Sequence, residues 1–244
     1  MDDQSSAEIL VERNDGWATV VLNRPQRRNA LTRPLLDQLA TAIDQLSADE
    51  SIAAIVLRGA EGAFSSGIDL TDLQANTSPD AAVAMHTTVR RAHLALFNCK
   101  CPIVVALERY SINGSTAYAL AADILVAGES AFMQIGEINQ GARIPMNAAW
   151  LKLKVSETVL ARVALMGDRV PAAEMHRLGV VHDLVPDTQV VATAEAHAKR
   201  LAAYPAASAR NIKRDITHQR QVDPEVWFAH TPSSALLTAQ QVRS

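Results

Sequence analysis

The chain is poor in the features that commit a protein to metal, redox, nucleic-acid or membrane chemistry. Of its 244 residues only 2 are cysteine, Cys99 and Cys101, one residue apart. A disulfide across that spacing would be strained, so the pair reads as reduced, partly buried small residues of a cytosolic, cytoplasmic protein. No Cys or His stands at zinc-ligand spacing, and no metal site is expected. The histidines (His86, His93, His176, His182, His197, His218, His230) are scattered, none beside a Ser or Cys in a nucleophile motif. Glycine is sparse, at 10 residues, and forms neither a phosphate-binding loop nor a dinucleotide fingerprint. Positive charge has no excess: 23 Lys and Arg against 26 Asp and Glu give a net charge of −3 and a pI near 6.2. That balance gives no electrostatic reason to expect nucleic acid or a membrane surface as a partner. No apolar run approaches the ~20 residues that span a bilayer. The opening Met1-Asp2-Asp3-Gln4-Ser5-Ser6 is acidic and polar, which reads as a disordered tail over residues 1–6 rather than a signal peptide.

What is present is an alternation of short β-branched runs with helical patterns. A hydrophobic content of 48% with 20% charged residues is ordinary for a soluble globular protein, and the length suffices for a substantial core. Ile9-Leu10-Val11 and Trp17-Ala18-Thr19-Val20-Val21-Leu22 flank Asn14-Asp15-Gly16, a hairpin turn. A helix follows, capped by Thr32 with Pro34 in its first turn; Leu36, Leu39, Ile43 and Leu46 share one face. Residues 52–57 and 102–107 read as buried strands, with a helix over 81–98 between them. A compact helix over 115–122 leads to a strand at 124–126. The remainder is mostly helical, at 148–153, 157–166, 172–178, 188–203 and 207–218, interrupted by one strand-like run at 180–185. Strand-strand-helix units first and helices last suggest an α/β core with stacked sheets and a helical C-terminal region. No Gly, Pro or Ser-rich linker divides the chain.

Four segments carry chemistry. Ala63-Phe64-Ser65-Ser66-Gly67-Ile68-Asp69-Leu70 packs small residues around a glycine after a strand and a polar turn. Such a backbone approaches a ligand closely and can aim N–H groups at a developing oxyanion. Asn23-Arg24-Pro25-Gln26-Arg27-Arg28-Asn29-Ala30-Leu31 places three arginines in five residues before a helix, which suits a phosphate-bearing ligand. In Tyr110-Ser111-Ile112-Asn113-Gly114-Ser115-Thr116-Ala117 a strand turns into a helix whose N-terminal N–H groups are unpaired, so Gly114 is a second oxyanion donor. Gln134-Ile135-Gly136-Glu137-Ile138-Asn139-Gln140-Gly141 sets a carboxylate in an apolar, amide-bearing stretch; an acid there has its pKa raised and can shuttle protons.

On these pieces the sequence resembles the enoyl-CoA hydratase/isomerase (crotonase) superfamily. The matches are Asn23-Arg24-Pro25 with Arg28-Asn29-Ala30-Leu31, the segment 63–70, the run from Pro102 to Asp123, Gly136-Glu137 through Gly141 and Pro145, and the later helix-to-strand segment 172–181. They run in order from about residue 7 to residue 215. Each motif alone is weak; the ordered set is strong. The resemblance implies a crotonase-type α/β spiral of ββα units over residues 1–190 and a C-terminal helical trimerisation region over 191–244. It implies an acyl-CoA thioester as substrate, coenzyme A entering as part of that substrate with no separate cofactor, and a homotrimer or dimer of trimers. By motif position the oxyanion donors are the backbone N–H groups of Ser66 and Gly114. Arg28, Ala30, Ser66, Ile68, Asp69 and Gly114 contact the CoA or substrate.

The departures from the family pattern bear on the reaction. Family hydratases carry two glutamates, and the corresponding positions here are Ala117 and Glu137. An alanine cannot move protons or orient water. One acid therefore remains, which suits isomerisation of 3-enoyl-CoA to 2-enoyl-CoA by a single shuttling glutamate, Glu137, in fatty-acid metabolism. The alternatives are an acyl-CoA binding protein that has lost catalysis, or a hydratase or thioester hydrolase using a different acid. Glu108-Arg109 stands where the family has Asn-Gly, either reshaping the acyl pocket and supplying an acid or forming a structural or solvated pair. Asp69 reads as structural. Residues 224–244 lack the basic, proline-containing ending of the family, leaving open whether a neighbouring subunit completes the CoA site.

Overall fold

The structure, a computed structural model, describes residues 7–75 and 78–229. The expected tail at 1–6 and the end of the C-terminal region, 230–244, lie outside the described residues. The chain opens with β1 (Ile9–Arg13) and β2 (Trp17–Leu22), then α1 (Arg33–Ala48), β3 (Ala54–Gly59), α2 (Leu70–Ala75), α3 (Pro79–Asn98) and β4 (Ile103–Leu107). It continues with β5 (Tyr110–Ile112), α4 (Gly114–Leu120), β6 (Ile124–Gly128), β7 (Phe132–Gln134), α5 (Pro145–Lys152), α6 (Glu157–Met166), β8 (Arg169–Pro171) and α7 (Ala172–Arg177). It closes with β9 (Asp183–Val185), α8 (Val190–Ala202), α9 (Ala206–His218) and α10 (Pro224–Trp227).

Six strands form the main sheet in the order β1-β2-β3-β4-β6-β9. The β1–β2 hairpin pairs antiparallel and turns through Gly16 at φ 75, while every later pairing in this sheet is parallel. A parallel sheet is covered on both faces, so its strands read as continuous apolar runs. Ala54, Val56, Val104, Ala106 and Val126 face Val190, Ala194 and Ala198 of α8. Those α8 residues recur every four positions, and two are alanines, which lets the helix lie close to the sheet. Ile55, Leu57, Ile103, Val105, Leu107 and Leu125 belong to the larger core that includes α1, α3 and α4. Thr32 caps α1 as its sequence suggests, its hydroxyl accepting from the Leu35 N–H at 3.2 Å.

A second sheet of three short strands, β5-β7-β8, lies beyond the main one. The strand expected over 180–185 is shorter and begins at Asp183. Both cysteines are free and fully buried. Cys101 sits beneath α9, where Lys213 donates to the Cys101 carbonyl at 2.8 Å and pairs with Asp123 at 2.7 Å. Arg210 from the same helix caps the carbonyls of Asp49 and Ile52 at 3.0 and 2.8 Å. These bonds tie α9 to the turn between α1 and β3 and to the approach to β4.

Candidate active site

Three loops meet at the C-terminal ends of the parallel strands, and backbone bridges lock them together. Leu31 pairs with Ile68, its N–H donating to the Gly67 carbonyl at 2.8 Å while the Asp69 N–H donates to the Leu31 carbonyl at 2.9 Å. Ser65 pairs with Ser111 through Ser65 N–H to Tyr110 O at 3.3 Å and Ile112 N–H to Ser65 O at 3.2 Å. The buried Ser115 hydroxyl adds a bond to the Ser65 carbonyl at 3.0 Å. Gly67 is at φ 99, and a Cβ there would lie 2.8 Å from the Ile112 carbonyl oxygen, so only glycine lets the loops approach this closely.

These bridges decide which N–H groups are free, and they correct the donor expected from sequence. The Ser66 N–H donates to the Arg28 carbonyl at 3.1 Å and is not available to a ligand. A parallel bridge uses the groups flanking its central residue, so the Ile68 N–H points away from Leu31 and has no partner among the described residues. The Gly114 N–H, at the first position of α4, is likewise unpartnered among them. Ile68 and Gly114 are neighbours: a Cβ on Gly114 would lie 3.3 Å from Ile68 Cγ1.

Gly114 is held by Asn113, which adopts φ 53 and ψ −128, a strained conformation for a residue with a side chain. Its surroundings over-determine it. Asn113 N–H donates to Gln134 O at 2.7 Å, and its side-chain Oδ1 accepts from the Gly136 N–H at 3.0 Å. Its carbonyl accepts from Thr116 N–H at 2.9 Å and from Asn147 Nδ2 at 3.2 Å.

The same Asn147 amide donates to Glu137 Oε1 at 3.0 Å. Glu137 opens a single 3-10 turn over 137–140, is 8% exposed, and its Oε2 has no partner among the described residues. Burial pushes its carboxyl up to about 7, against the opposing pull of its own backbone N–H and of Asn147. A carboxyl so tuned sits where a general base or acid works best near neutral pH. Asn147 is absent from the sequence reading. The available signal was Pro145 opening a helix with one amide among Met146, Ala148, Ala149, Trp150 and Leu151. Ala117, one turn into α4, is fully buried.

The basic loop divides in two. Arg24 bonds Glu8 at 3.0 Å, Asp69 at 3.0 Å and the Ala30 carbonyl at 2.7 Å. Arg27 also reaches Asp69, at 3.2 Å. Asp69, 5% exposed, caps α2 by accepting from the Thr71 and Asp72 N–H groups at 3.1 and 3.3 Å. Burial raises its carboxyl, but the two guanidinium groups and the Asp72 N–H outweigh burial and hold it below the usual range. Asp69 therefore organises the loops, in line with its structural reading. Arg28, exposed at φ 53, forms no ion pair with a described residue.

Ala30 is buried beside this network. Glu108 and Arg109 form no ion pair with described residues; both approach the Gly62 turn, where a Cβ would lie 3.8 Å from Glu108 Oε1 and 3.9 Å from Arg109 Nε. Burial raises the Glu108 carboxyl against the nearby charges of Arg58 and Arg109. Two open grooves, of about 900 and 710 Å³, lie elsewhere, beside α6 and α7 and beside α9.

The enoyl-CoA hydratase/isomerase family model matches residues 12–235. The chain belongs to the enoyl-CoA hydratase/isomerase family. It is 27% identical over 220 residues to the 2,3-dehydroadipyl-CoA hydratase of Escherichia coli K12, covering 88% of this chain and 84% of that one. A crystal structure of an enoyl-CoA hydratase/isomerase from Xanthobacter autotrophicus Py2 superposes with a TM-score of 0.82 at 29% identity, over 97% of this chain and 87% of that one. An enoyl-CoA hydratase from Mycobacterium avium subsp. paratuberculosis K-10 gives 0.85 at 25% identity, over 95% and 94%. The fold is thus of the crotonase type. As a member of the enoyl-CoA hydratase/isomerase family, the protein is an acyl-CoA-processing enzyme. No helix among the described residues is long and apolar enough to cross a membrane.

Proposed function

We propose that this family member isomerises 3-enoyl-CoA to 2-enoyl-CoA with Glu137 as its one proton carrier. The observation that carries the reading is the pairing of a buried Glu137, one oxygen free and its carboxyl near 7, with alanine at 117. Ionised Glu137 takes the proton from C2 of the bound 3-enoyl thioester. Electrons from that C–H bond form the C1–C2 double bond of a dienolate, and the thioester oxygen gains the charge. In this reading the Ile68 and Gly114 N–H groups, unpartnered and adjacent, receive that oxyanion; each such donor contributes ~3–4 kcal/mol to lowering a barrier. Glu137 then returns the proton at C4, the double bond settles between C2 and C3, and charge leaves the oxygen. Atoms and electrons balance with no added water or oxidant.

Arg28 is the arginine of the basic loop left free for a CoA phosphate, and Ala30, Ser66 and Ile68 are the further CoA contacts that the family resemblance implies. Assembly as a trimer or dimer of trimers and a cytoplasmic setting are part of this reading. Hydration is a second reading, favoured by Asn147 Oδ1, which is buried beside Glu137 without a partner among the described residues and could orient a water. Glu137→Gln tests the assignment: isomerisation should fall at least a hundredfold with CoA-ester binding retained, and full activity would remove Glu137 from its role.

A further inference from the structure

Buried polar atoms without partners are rare in folded proteins and call for an explanation. Among the described residues, five of the ten such side-chain atoms gather around one wall. His86 Nε2, Arg90 Nε and His93 Nε2 on α3, the Tyr118 hydroxyl on α4 and Trp227 Nε1 on α10 are all buried and unpartnered among the described residues. His86, Arg90 and His93 recur at intervals of four and three, so they lie on one face of α3. That face is covered by α10 and the residue after it: Glu225 holds Arg90, and Phe228 stacks on His93 with ring centroids 5.8 Å apart.

The centre of this wall is the His93–Tyr118 pair, each 1% exposed, with rings stacked at 22° and centroids 4.2 Å apart. Trp150 Nε1 donates to His93 Nδ1 at 3.1 Å. Burial pushes the imidazole down to about 3, so it is neutral at any working pH and its remaining proton sits on Nε2. His93 thus presents a donor and Tyr118 a hydroxyl into surroundings otherwise built of Trp150, Phe97 and Phe228. Tyr118 lies four residues, one helical turn, beyond the Gly114 N–H. Trp150 lies three residues beyond Asn147, on the same side of α5 as the amide that holds Glu137. Asn147 and Trp150 thus tie the Glu137 carboxyl and the His93–Tyr118 pair to one side of α5.

We infer that His93 and Tyr118 recognise a neutral oxygen on the acyl chain, so that the substrate is a hydroxy- or keto-substituted acyl-CoA rather than a plain alkyl one. The inference rests on the acyl-CoA reading above and deepens it. A neutral oxygen supplies the acceptor that the His93 N–H lacks and a partner for the tyrosine hydroxyl. A carboxylate would arrive without a counter-charge from His93, and an alkyl chain would leave both groups unpaired, at ~1–3 kcal/mol each.

The test compares kcat/KM for 3-hexenoyl-CoA and 3-octenoyl-CoA with their terminally hydroxylated counterparts, in the wild type and in Tyr118→Phe. The wild type should prefer a hydroxylated substrate at least tenfold, and Tyr118→Phe should reduce that ratio about tenfold. The variant should also unfold at a higher temperature without ligand, because an unpaired hydroxyl is gone. A wild-type ratio near one, a ratio unchanged in Tyr118→Phe, or a lower unfolding temperature overturns the inference. Calorimetry with hexanoyl-CoA and 6-hydroxyhexanoyl-CoA separates the two readings. Tighter binding of the hydroxylated ester with no turnover of any enoyl-CoA supports the oxygen site and sinks the isomerase reading. Turnover with no preference in rate or binding does the reverse.

Discussion

Replacing Glu137 by glutamine should change how stability depends on pH, by an amount the structure sets. In the unfolded chain the carboxyl titrates near its ordinary 4.5, and in the folded protein burial holds it near 7. The folded-state value is the higher, so between these two values the folded state keeps a proton that the unfolded state has released. Raising the pH through the window removes it and destabilises the fold; below 4.5 the contribution is fully present, and above 7 it is gone. At ~1.4 kcal/mol for each tenfold in proton affinity, the gap is worth about 3 kcal/mol. Exposure of only 8% leaves solvent little room to screen it. The glutamine side chain keeps an oxygen for the Asn147 amide and does not titrate. Urea unfolding at pH 5 and pH 8 should show the variant gaining about 3 kcal/mol on the wild type between those points. Parallel pH profiles would refute the argument, since they would mean that Glu137 titrates alike in the folded and unfolded states.

Four further outcomes follow from the site and the loops around it. Gly114→Ala puts a Cβ 3.3 Å from Ile68 Cγ1, shifting the N–H pair, so kcat should fall tenfold or more with circular dichroism unchanged. Asn147→Ala removes the side-chain hydrogen bond that lowers the Glu137 pKa; the rising limb of the pH–rate profile should move to higher pH and kcat should drop. Arg24→Ala strips a buried partner from Asp69 and should cost ~3–5 kcal/mol of stability by chemical denaturation, whereas Arg28→Ala should raise KM for CoA esters and leave stability within about 0.5 kcal/mol.

Much of this architecture is legible from short-range pattern. The Asn14-Asp15-Gly16 turn, the Thr32 cap and the apolar strands β3 and β4 each follow from a few adjacent residues, and the Gly114 and Glu137 positions follow from ordered motifs. The second sheet was not legible because β5, β7 and β8 have three residues apiece, too few to carry a period. The donor in segment 63–70 was displaced by two residues for a different reason. Whether Ser66 or Ile68 keeps a free N–H depends on pairing with Leu31 and Arg28, more than thirty residues away in sequence. Asp69 shows the same limit, since its partners Arg24 and Arg27 come from a loop that gives no local sign of the pairing.

The central claim is that one carboxylate, working without a second acid at position 117, moves a proton along the acyl chain instead of adding water. The direct measurement is initial rates for the wild type with 3-enoyl-CoA and 2-enoyl-CoA of equal chain length, with products separated by mass. Isomerisation should exceed hydration by at least tenfold and should collapse in Glu137→Gln. Hydration to the 3-hydroxyacyl-CoA at a rate equal to or above isomerisation would contradict the account.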